Sequence, residues 1–261
     1  MPDQHKQAVY VYGVVRGAEA VEITTEGVEG AGRARLLRHD GMAALVADVS
    51  PDQIPTTRRN LNAHTEVLAE GARQTTVLPM RFGVVFPDER RIVDEFLGPS
   101  GGELASLLDR FEGMVEATLR GVFEDEDARL REVVEQEPEI ARLRDQVREV
   151  PEDAGYYARI RLGELVASAL EARRAAEERR ILDRLQPLAH AVDRDTELPE
   201  RVVVKAAFLI ERPKLQAFDR EVDALARELA GRIRFSYAGP LALHSFVDLT
   251  PMGEPVPAQR S

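Results

Sequence analysis

The sequence predicts an α+β fold in two domains, on three observations. Runs rich in Val, Ile and Tyr, which suit pleated strands, alternate with segments whose apolar residues recur at helical spacing. This run of strands and helices occurs twice, with a boundary near residue 112. The 261 residues, 44% of them apolar, suffice for two hydrophobic cores. We therefore predict an N-terminal α+β domain over 1–112 and a C-terminal domain over 113–250.

The first domain is predicted to contain four strands and three helices. In chain order they are a strand at 8–15, strands at 33–38 and 42–49, a helix from Arg58, a strand at 75–86, and helices at 88–96 and 103–111. Asp40-Gly41 lies between the second and third strands. Because Asp-Gly is a tight-turn signal, these two strands are predicted to form an antiparallel hairpin.

The second domain is predicted to contain a long helical block between strands. Its elements are a strand at 114–123, the helical block at 125–194, a strand at 202–210, a helix at 214–230, and strands at 232–238 and 242–249. Within the block, Pro138 is predicted to lie in the first turn of a new helix that ends at Pro151, and one long helix runs from Tyr156 to about Asp193. The block is interpreted as an antiparallel hairpin that turns near Pro151. The resulting order is βαβαββ. The tail at 251–261 is rich in proline and is predicted to be disordered.

Charge and composition exclude several classes of protein. The formal net charge is −11 and the pI about 5.1, so nucleic acid and anionic lipid surfaces would repel the chain. The densest basic cluster, at 173–180, is interleaved with glutamates and is interpreted as a solvated helix face. Cysteine is absent, which excludes disulfides and thiolate metal sites. No signal peptide or membrane span is recognised, so a soluble, intracellular protein is expected.

No catalytic, cofactor or metal site is predicted. The histidines are not at metal-ligand spacing from one another or from carboxylates. His64 lies on the apolar stripe of its helix, which favours a core or interface histidine over a catalyst. His244 and Ser245 are placed on opposite faces of a strand and cannot act as base and nucleophile. Arg81, inside an apolar run, is either exposed, paired with a carboxylate, or in contact with a partner protein.

Two segments resemble a known family. A helix carrying Asn62-Ala63-His64 leads into Val77–Phe86, an apolar run interrupted by Pro79, Arg81 and Gly83. Near the other end, Tyr237-Ala238-Gly239-Pro240 is followed by Ser245-Phe246-Val247. Their order and spacing resemble the GvpF/GvpL family of gas vesicle proteins over roughly residues 8–249. The family-motif positions are His64, Leu78, Pro79, Phe82, Gly83, Gly239, Pro240 and Phe246. One departure is Leu241-Ala242-Leu243-His244, where the family often has Trp-Pro-Pro-Tyr.

The resemblance implies both a fold and a role. It implies a two-domain α+β protein whose C-terminal part is a modified ferredoxin-like domain with a long helical insertion. It implies a non-enzymatic gas vesicle assembly or minor structural protein of the cytoplasm, without cofactor, whose partners are the small apolar shell subunit and other accessory gas vesicle proteins. Candidate contact surfaces are the helices at 126–193 and the residues Arg81, Leu241, Leu243 and His244. The alternative is a ferredoxin-like enzyme or small-ligand-binding protein.

Overall fold

The computed structural model describes residues 8–50, 54–149, 151 and 155–249, so the predicted disordered tail at 251–261 lies outside the described residues. Helix and sheet are mixed along the chain, as predicted for an α+β protein. The chain divides into two compact units. The first comprises the chain up to Ala117, Leu209–Leu215 and the residues from Ala238 onward, and the second comprises Thr118–Phe208 and Gln216–Tyr237. The domain ranges given above, with a boundary near 112, stay a prediction.

The sheet of the first unit is antiparallel and centred on its first strand. Its strands are β1 (Ala8–Arg16), β2 (Arg35–His39), β3 (Met42–Val49), β4 (Leu78–Pro79) and β5 (Val85–Phe86). The order is β2-β3-β1-β4, and β5 also pairs with β1. The predicted hairpin is confirmed: Asp40 and Gly41 have φ of 41° and 78° and join β2 to β3. Such positive φ values favour glycine at the turn.

Helix α1 (Arg58–Gln74) begins at an N-cap, because the side chain of Thr57 accepts a hydrogen bond from the Asn60 amide. Its buried positions recur at helical spacing and include His64, Val67 and Leu68, so one face of α1 joins the core of the first unit. The remaining helices of this unit are α2 (Glu89–Ile92), which continues as a π-helical turn over Val93–Leu97, and α3 (Gly101–Arg110).

The predicted strand at 75–86 is wrong as one continuous element. The segment forms two strands of two residues each, β4 and β5, separated by a turn at Phe82-Gly83. Pro79 has no amide to donate to a ladder, and Gly83 has a φ of 91°, which is outside the β region. The chain therefore leaves β1 after Met80 and returns to it at Val85.

An arginine caps the C-terminal end of α1. The guanidinium of Arg212 donates to the carbonyl oxygens of Ala72 (2.6 Å), Arg73 (3.1 Å) and Thr75. These are among the carbonyls that a helix end leaves without an intrahelical partner. Partial burial lowers the pKa of Arg212, yet the three acceptors hold the charged group in place.

We expect Arg212→Met to lower the free energy of unfolding by roughly 2 kcal/mol, because hydrogen bonds from a charged donor contribute about 1.5–3 kcal/mol. Urea denaturation followed by circular dichroism measures this. Lys214→Met is the control, since Lys214 makes only a half-exposed ion pair with Glu211, and its loss should change stability by less than about 0.5 kcal/mol. Equal effects of the two substitutions would contradict the capping role.

The second sheet contains four strands, β6 (Met114–Phe123), β7 (Ala191–Arg194), β8 (Val202–Glu211) and β9 (Ile233–Leu241), in the order β7-β8-β6-β9. The predicted strand at 114–123 is confirmed. The predicted closing pair at 232–238 and 242–249 is wrong: a single strand passes through Gly239-Pro240, and residues 242–249 form turns and irregular structure. Because β9 is at an edge of the sheet, a proline can lie in it without losing a ladder hydrogen bond.

Helices of the second half are α4 (Glu126–Gln136), α5 (Pro138–Glu149), α6 (Tyr156–Leu185) and α7 (Arg212–Glu228). The predicted new helix at Pro138 is confirmed, since α5 begins at this residue, and proline is favoured in the first turn of a helix. The antiparallel hairpin over 125–194 stays a prediction. The predicted extension of α6 to Asp193 is wrong. A 3₁₀ turn at Gln186–Leu188 contains Pro187, and the strand β7 follows. The element order is therefore βαββαβ, not βαβαββ.

Candidate functional site

The segment Val77–Phe86 is anchored to the central strand of its sheet. The amide of Met80 donates to the Tyr12 carbonyl at 2.8 Å, and the Val11 amide donates to the Val84 carbonyl at 3.0 Å. Between these two anchors, Arg81 is exposed and Phe82 is half-buried. The segment between these two hydrogen bonds is therefore a short exposed turn whose two ends are held by β1.

Beneath this turn lies a buried hydrogen-bonded network. Tyr10 Oη and His64 Nδ1 are 2.9 Å apart, and His64 Nε2 is 3.2 Å from the Met80 carbonyl oxygen. The Gly83 amide donates to Tyr10 Oη at 3.1 Å. A carbonyl only accepts, so Nε2 carries the proton and Nδ1 accepts from the Tyr10 hydroxyl. The network therefore ties β1, α1 and the exposed turn together in one tautomer.

The rings of this network also pack against one another. Tyr12 and His64 are stacked with centroids 5.5 Å apart, and Tyr10 lies 4.8 Å from Tyr12. Phe82 contacts both Tyr10 and His64 edge-on, at 6.1 and 5.8 Å. Aromatic pairs with these geometries add stabilisation beyond the area that they bury. The half-buried Phe82 is the part of this cluster nearest to the surface.

Burial sets the protonation of the network. Desolvation, with a smaller contribution from nearby His244, lowers the pKa of His64 to about 4, although the hydrogen bond to the Met80 carbonyl acts in the opposite direction. Desolvation also raises the pKa of Tyr10 far above its usual value. Both groups are therefore neutral near pH 7, which suits a structural network better than proton transfer.

The C-terminal segment 242–249 lies against Val77–Arg81. The Leu243 amide donates to the Val77 carbonyl at 3.4 Å, and Leu249 forms a parallel bridge with Met80. At the surface, Arg81 forms a bidentate pair with Asp248: Nε to Oδ1 is 3.1 Å and Nη2 to Oδ2 is 2.7 Å. The two motif-bearing segments, distant in sequence, are thus neighbours in the first unit.

A buried carboxylate fixes the turn of this C-terminal segment. Glu116 is 1% exposed, and its Oε2 accepts from the Ser245 amide at 2.7 Å while Oε1 accepts from the Ser245 hydroxyl at 3.0 Å. His244 and Ser245 lie in this turn, so the prediction that they lie on opposite faces of a strand is wrong. The hydroxyl of Ser245 holds the turn in place through Glu116.

The sequence-predicted residues reach different environments. His64, Leu78 and Pro79 are buried, Phe82, Pro240, Leu241 and Phe246 are half-buried, and Arg81, Gly83, Gly239 and His244 are exposed. Leu243 is fully buried, so its side chain does not contribute to an exposed contact surface. Sequence reasoning missed Tyr10, Glu116 and Asp248. Only Tyr10 carried a signal, because Tyr10 and Tyr12 share one face of an apolar strand.

The exposed or half-buried residues Arg81, Phe82, Leu241, His244 and Asp248 are here called the motif surface. They offer charged, aromatic and apolar groups, and the contacts above include no nucleophile–base pair. Within the described residues, no group of three or more His, Asp or Glu side chains is arranged to hold a metal ion. In the same part of the chain, none of the helices is long and apolar enough to cross a membrane.

The chain is similar to known gas vesicle proteins along most of its length. The family model "Gas vesicle synthesis protein GvpL/GvpF" matches residues 8–248. Gas vesicle protein F of Streptomyces sp. (strain CB03234) is 32% identical, over 92% of this chain and 100% of that protein. Gas vesicle protein F of Nostoc sp. (strain PCC 7120) is 25% identical, over 93% and 98%.

The fold is shared as well as the sequence. The crystal structure of the gas vesicle protein GvpF from Anabaena sp. PCC7120 superposes with a TM-score of 0.80 at 25% identity, over 94% of this chain and 99% of that one. The family model spans both motif segments and nearly the whole described chain. On these grounds, the chain belongs to the GvpL/GvpF family of gas vesicle synthesis proteins.

Proposed function

We propose that this protein is a non-enzymatic assembly or minor structural protein of the gas vesicle, which binds the small apolar shell subunit in the cytoplasm and supports growth of the vesicle wall. The observation that carries the proposal is the family match over residues 8–248. The motif surface supports it, because the residues built around it are buried, neutral and hydrogen-bonded to one another rather than arranged for chemistry. A subunit with large exposed apolar surface would aggregate unaided.

The motif surface is our candidate contact for the shell subunit. Phe82 and Leu241 are half-buried and offer partly exposed apolar area, and Arg81, next to Phe82 in the sequence, forms an exposed charged pair with Asp248. The side chains of this pair are 65% and 68% exposed. Exposed ion pairs contribute at most about 1 kcal/mol to stability. Changes at Arg81 should therefore affect binding without preventing folding, which makes this residue a suitable probe.

We expect Arg81→Ala to reduce co-purification of the shell subunit by about tenfold, equivalent to about 1.4 kcal/mol of binding free energy. The measurement is affinity capture of the co-expressed shell subunit by the tagged protein, followed by quantification of both chains. Arg90→Ala is the matched control, because Arg90 is an exposed arginine in the same unit that also pairs with a carboxylate, Asp94. It should capture as much shell subunit as the parent.

The possible outcomes separate two claims. If the parent protein captures no shell subunit, the proposed function fails. If the parent captures it and Arg81→Ala captures as much, the proposed function stands and the motif surface is not the contact. Thermal melts of all three proteins accompany the assay, so that a loss of capture caused by unfolding is recognised.

We also propose that the C-terminal part is a modified ferredoxin-like domain. Support comes from the order β6, helices, β7, β8, α7, β9, which is the βαββαβ order typical of that fold. The sheet order β7-β8-β6-β9 places the first and third of its four strands at the centre. The modification would then be the replacement of the first helix by α4, α5 and α6.

A further inference from the structure

One face of α6 changes from buried to exposed along its length. Residues at spacings of three and four lie on one face of a helix. On α6 such a row is Tyr156, Ile160, Gly163, Ala167, Leu170, Arg174, Glu178, Ile181 and Leu185. Ile181 and Leu185 are 0% exposed, whereas Ile160 is 43% and Tyr156 61% exposed. The face that enters the core of the second unit is thus open to solvent in its first three turns.

The middle of the same row contacts the second sheet. Arg174 has a side chain only 13% exposed, and its Nη1 lies 3.4 Å from the Val203 carbonyl oxygen in β8. It also pairs with Glu171 and Glu178. The prediction of a solvated face at 173–180 is therefore wrong for Arg174. On the N-terminal side of this contact, the row consists of apolar or small residues.

The opposite side of α6 is already occupied. The half-buried positions Ala158, Leu162, Val166 and Ala169 form a second row, and Arg173 beside them pairs with Glu132 and Glu137 of α4 and its cap. The exposed row Tyr156, Ile160, Gly163 and Ala167 is here called the open row, and all four of its residues are exposed.

Gly163 indicates that the open row suits close approach of another helix. Glycine inside a helix is unfavourable, and a Cβ at position 163 would have no atom within 4 Å among its surroundings. The structure of this chain therefore gives no steric reason for glycine there. A helix packed on the open row could approach closely at Gly163 and Ala167, with Tyr156 and Ile160 as larger contacts at one end.

The size of the open row and the charge beside it indicate which kind of partner could bind there. The open row has four residues over three helical turns, whereas each side of a standard stable interface has about 20–30 residues. It is therefore too small to hold a second copy of this chain stably, but it suits one short helix held transiently. Glu164, exposed beside the row, forms no ion pair with any described residue, so a basic side chain on the occupant would complement it.

We propose that the open row of α6 transiently binds a short amphipathic helix with an aliphatic face and a basic flank, on the apolar client of this protein. This inference rests on the proposed function, since it assigns a second contact to the same client. Binding would follow the helix-in-groove mode, in which apolar side chains three and four residues apart dock on a complementary face.

The test substitutes Gly163→Gln, which should block the row without harming the fold. Glutamine is a better helix former than glycine, and the position is sterically open. We expect Gly163→Gln to melt no lower than the parent and to capture the co-expressed shell subunit at least tenfold less. Ser168→Gln is the control: it adds the same side chain at an exposed position off the row and should capture at parental level.

Glu164→Lys provides a second readout, because it reverses the charge beside the row and should also weaken capture. Undiminished capture by Gly163→Gln, with the parent active, would overturn the inference and leave the proposed function intact. If the parent does not capture the shell subunit, both the inference and the proposed function are contradicted. If the purified parent sediments as a dimer while Gly163→Gln sediments as a monomer, the open row binds a second copy of this chain. That result would contradict the proposal that the row binds a helix of the client.

Discussion

Replacing Gly13 with alanine is expected to destabilise the first unit by about 3 kcal/mol, since overpacking of a dense core costs up to about that much. A Cβ at this position would lie 2.6 Å from the Leu78 carbonyl oxygen and 3.0 Å from Leu68 Cδ2. The first of these is a backbone atom of the neighbouring strand and cannot rotate away. Gly13 is also where the pairing of β1 with β3 shifts register, after Val11.

Gly13→Ala should also disturb the motif surface, because Gly13 pairs with Pro79 at the start of the exposed turn. Displacing β4 from β1 would separate Met80 from Tyr12 and weaken the hold on Arg81. We expect the substitution to lower both the urea midpoint and shell-subunit capture. Circular dichroism during urea denaturation gives the first quantity, and an unchanged m-value would indicate that only stability has changed.

Gly102→Ala is the matched control for this prediction. It makes the same chemical change in the first unit, in the first turn of α3, where a Cβ would have no neighbour within 4 Å. There alanine should leave stability unchanged or raise it by up to about 1 kcal/mol. If Gly13→Ala were as stable as Gly102→Ala, the close approach of β1 to β4 would be contradicted.

Much of the fold was predictable from local pattern. The strand at 8–15, the Asp-Gly hairpin, the helix from Arg58 and the strand at 114–123 follow from alternation, helical spacing and turn chemistry, and the structure contains all of them. These signals are local, so a single sequence carries them. The mixture of helix and sheet followed directly.

The errors arise where tertiary contacts decide the local structure. Val77–Phe86 reads as one apolar strand, but it pairs with β1 through two separate short strands, β4 and β5, and the turn between them is fixed by Tyr10. Gly239-Pro240 reads as a turn, yet it lies within an edge strand. The short strand β7 has four residues and no distinctive pattern, so the sequence alone predicts the end of a helix there.

The candidate site was predictable in its motif residues and not in its contacts. His64 was interpreted as a core or interface histidine from its helical spacing, and it is 4% exposed. Nothing in the sequence pairs Arg81 with Asp248, which lies 167 residues away, or Ser245 with Glu116. The open row of α6 has ordinary helical spacing, and only the burial of each residue distinguishes its two halves.

The second large effect is a loss of stability, which we expect when the pH is lowered. His64 has a pKa of about 4 in the folded protein because burial disfavours its charged form, against about 6.5 when unfolded. Between these values the unfolded chain binds the proton and the folded chain does not, so stability falls as pH falls. By linkage, the contribution of His64 amounts to a loss of about 2 kcal/mol at pH 5 and about 3 kcal/mol at pH 4.

The measurement is urea denaturation at pH 7.5, 6 and 5 for the parent, His64→Gln and His190→Gln. Glutamine does not titrate and can still donate to the Met80 carbonyl, so His64→Gln should start less stable and lose less stability on acidification. His190 is exposed, and His190→Gln should keep the parental pH dependence. If the free energy of unfolding changed equally with pH in the parent and in His64→Gln, His64 would become protonated in the folded protein without disrupting the network. The exposed turn at Arg81 would then owe its position to the strands rather than to the histidine beneath it.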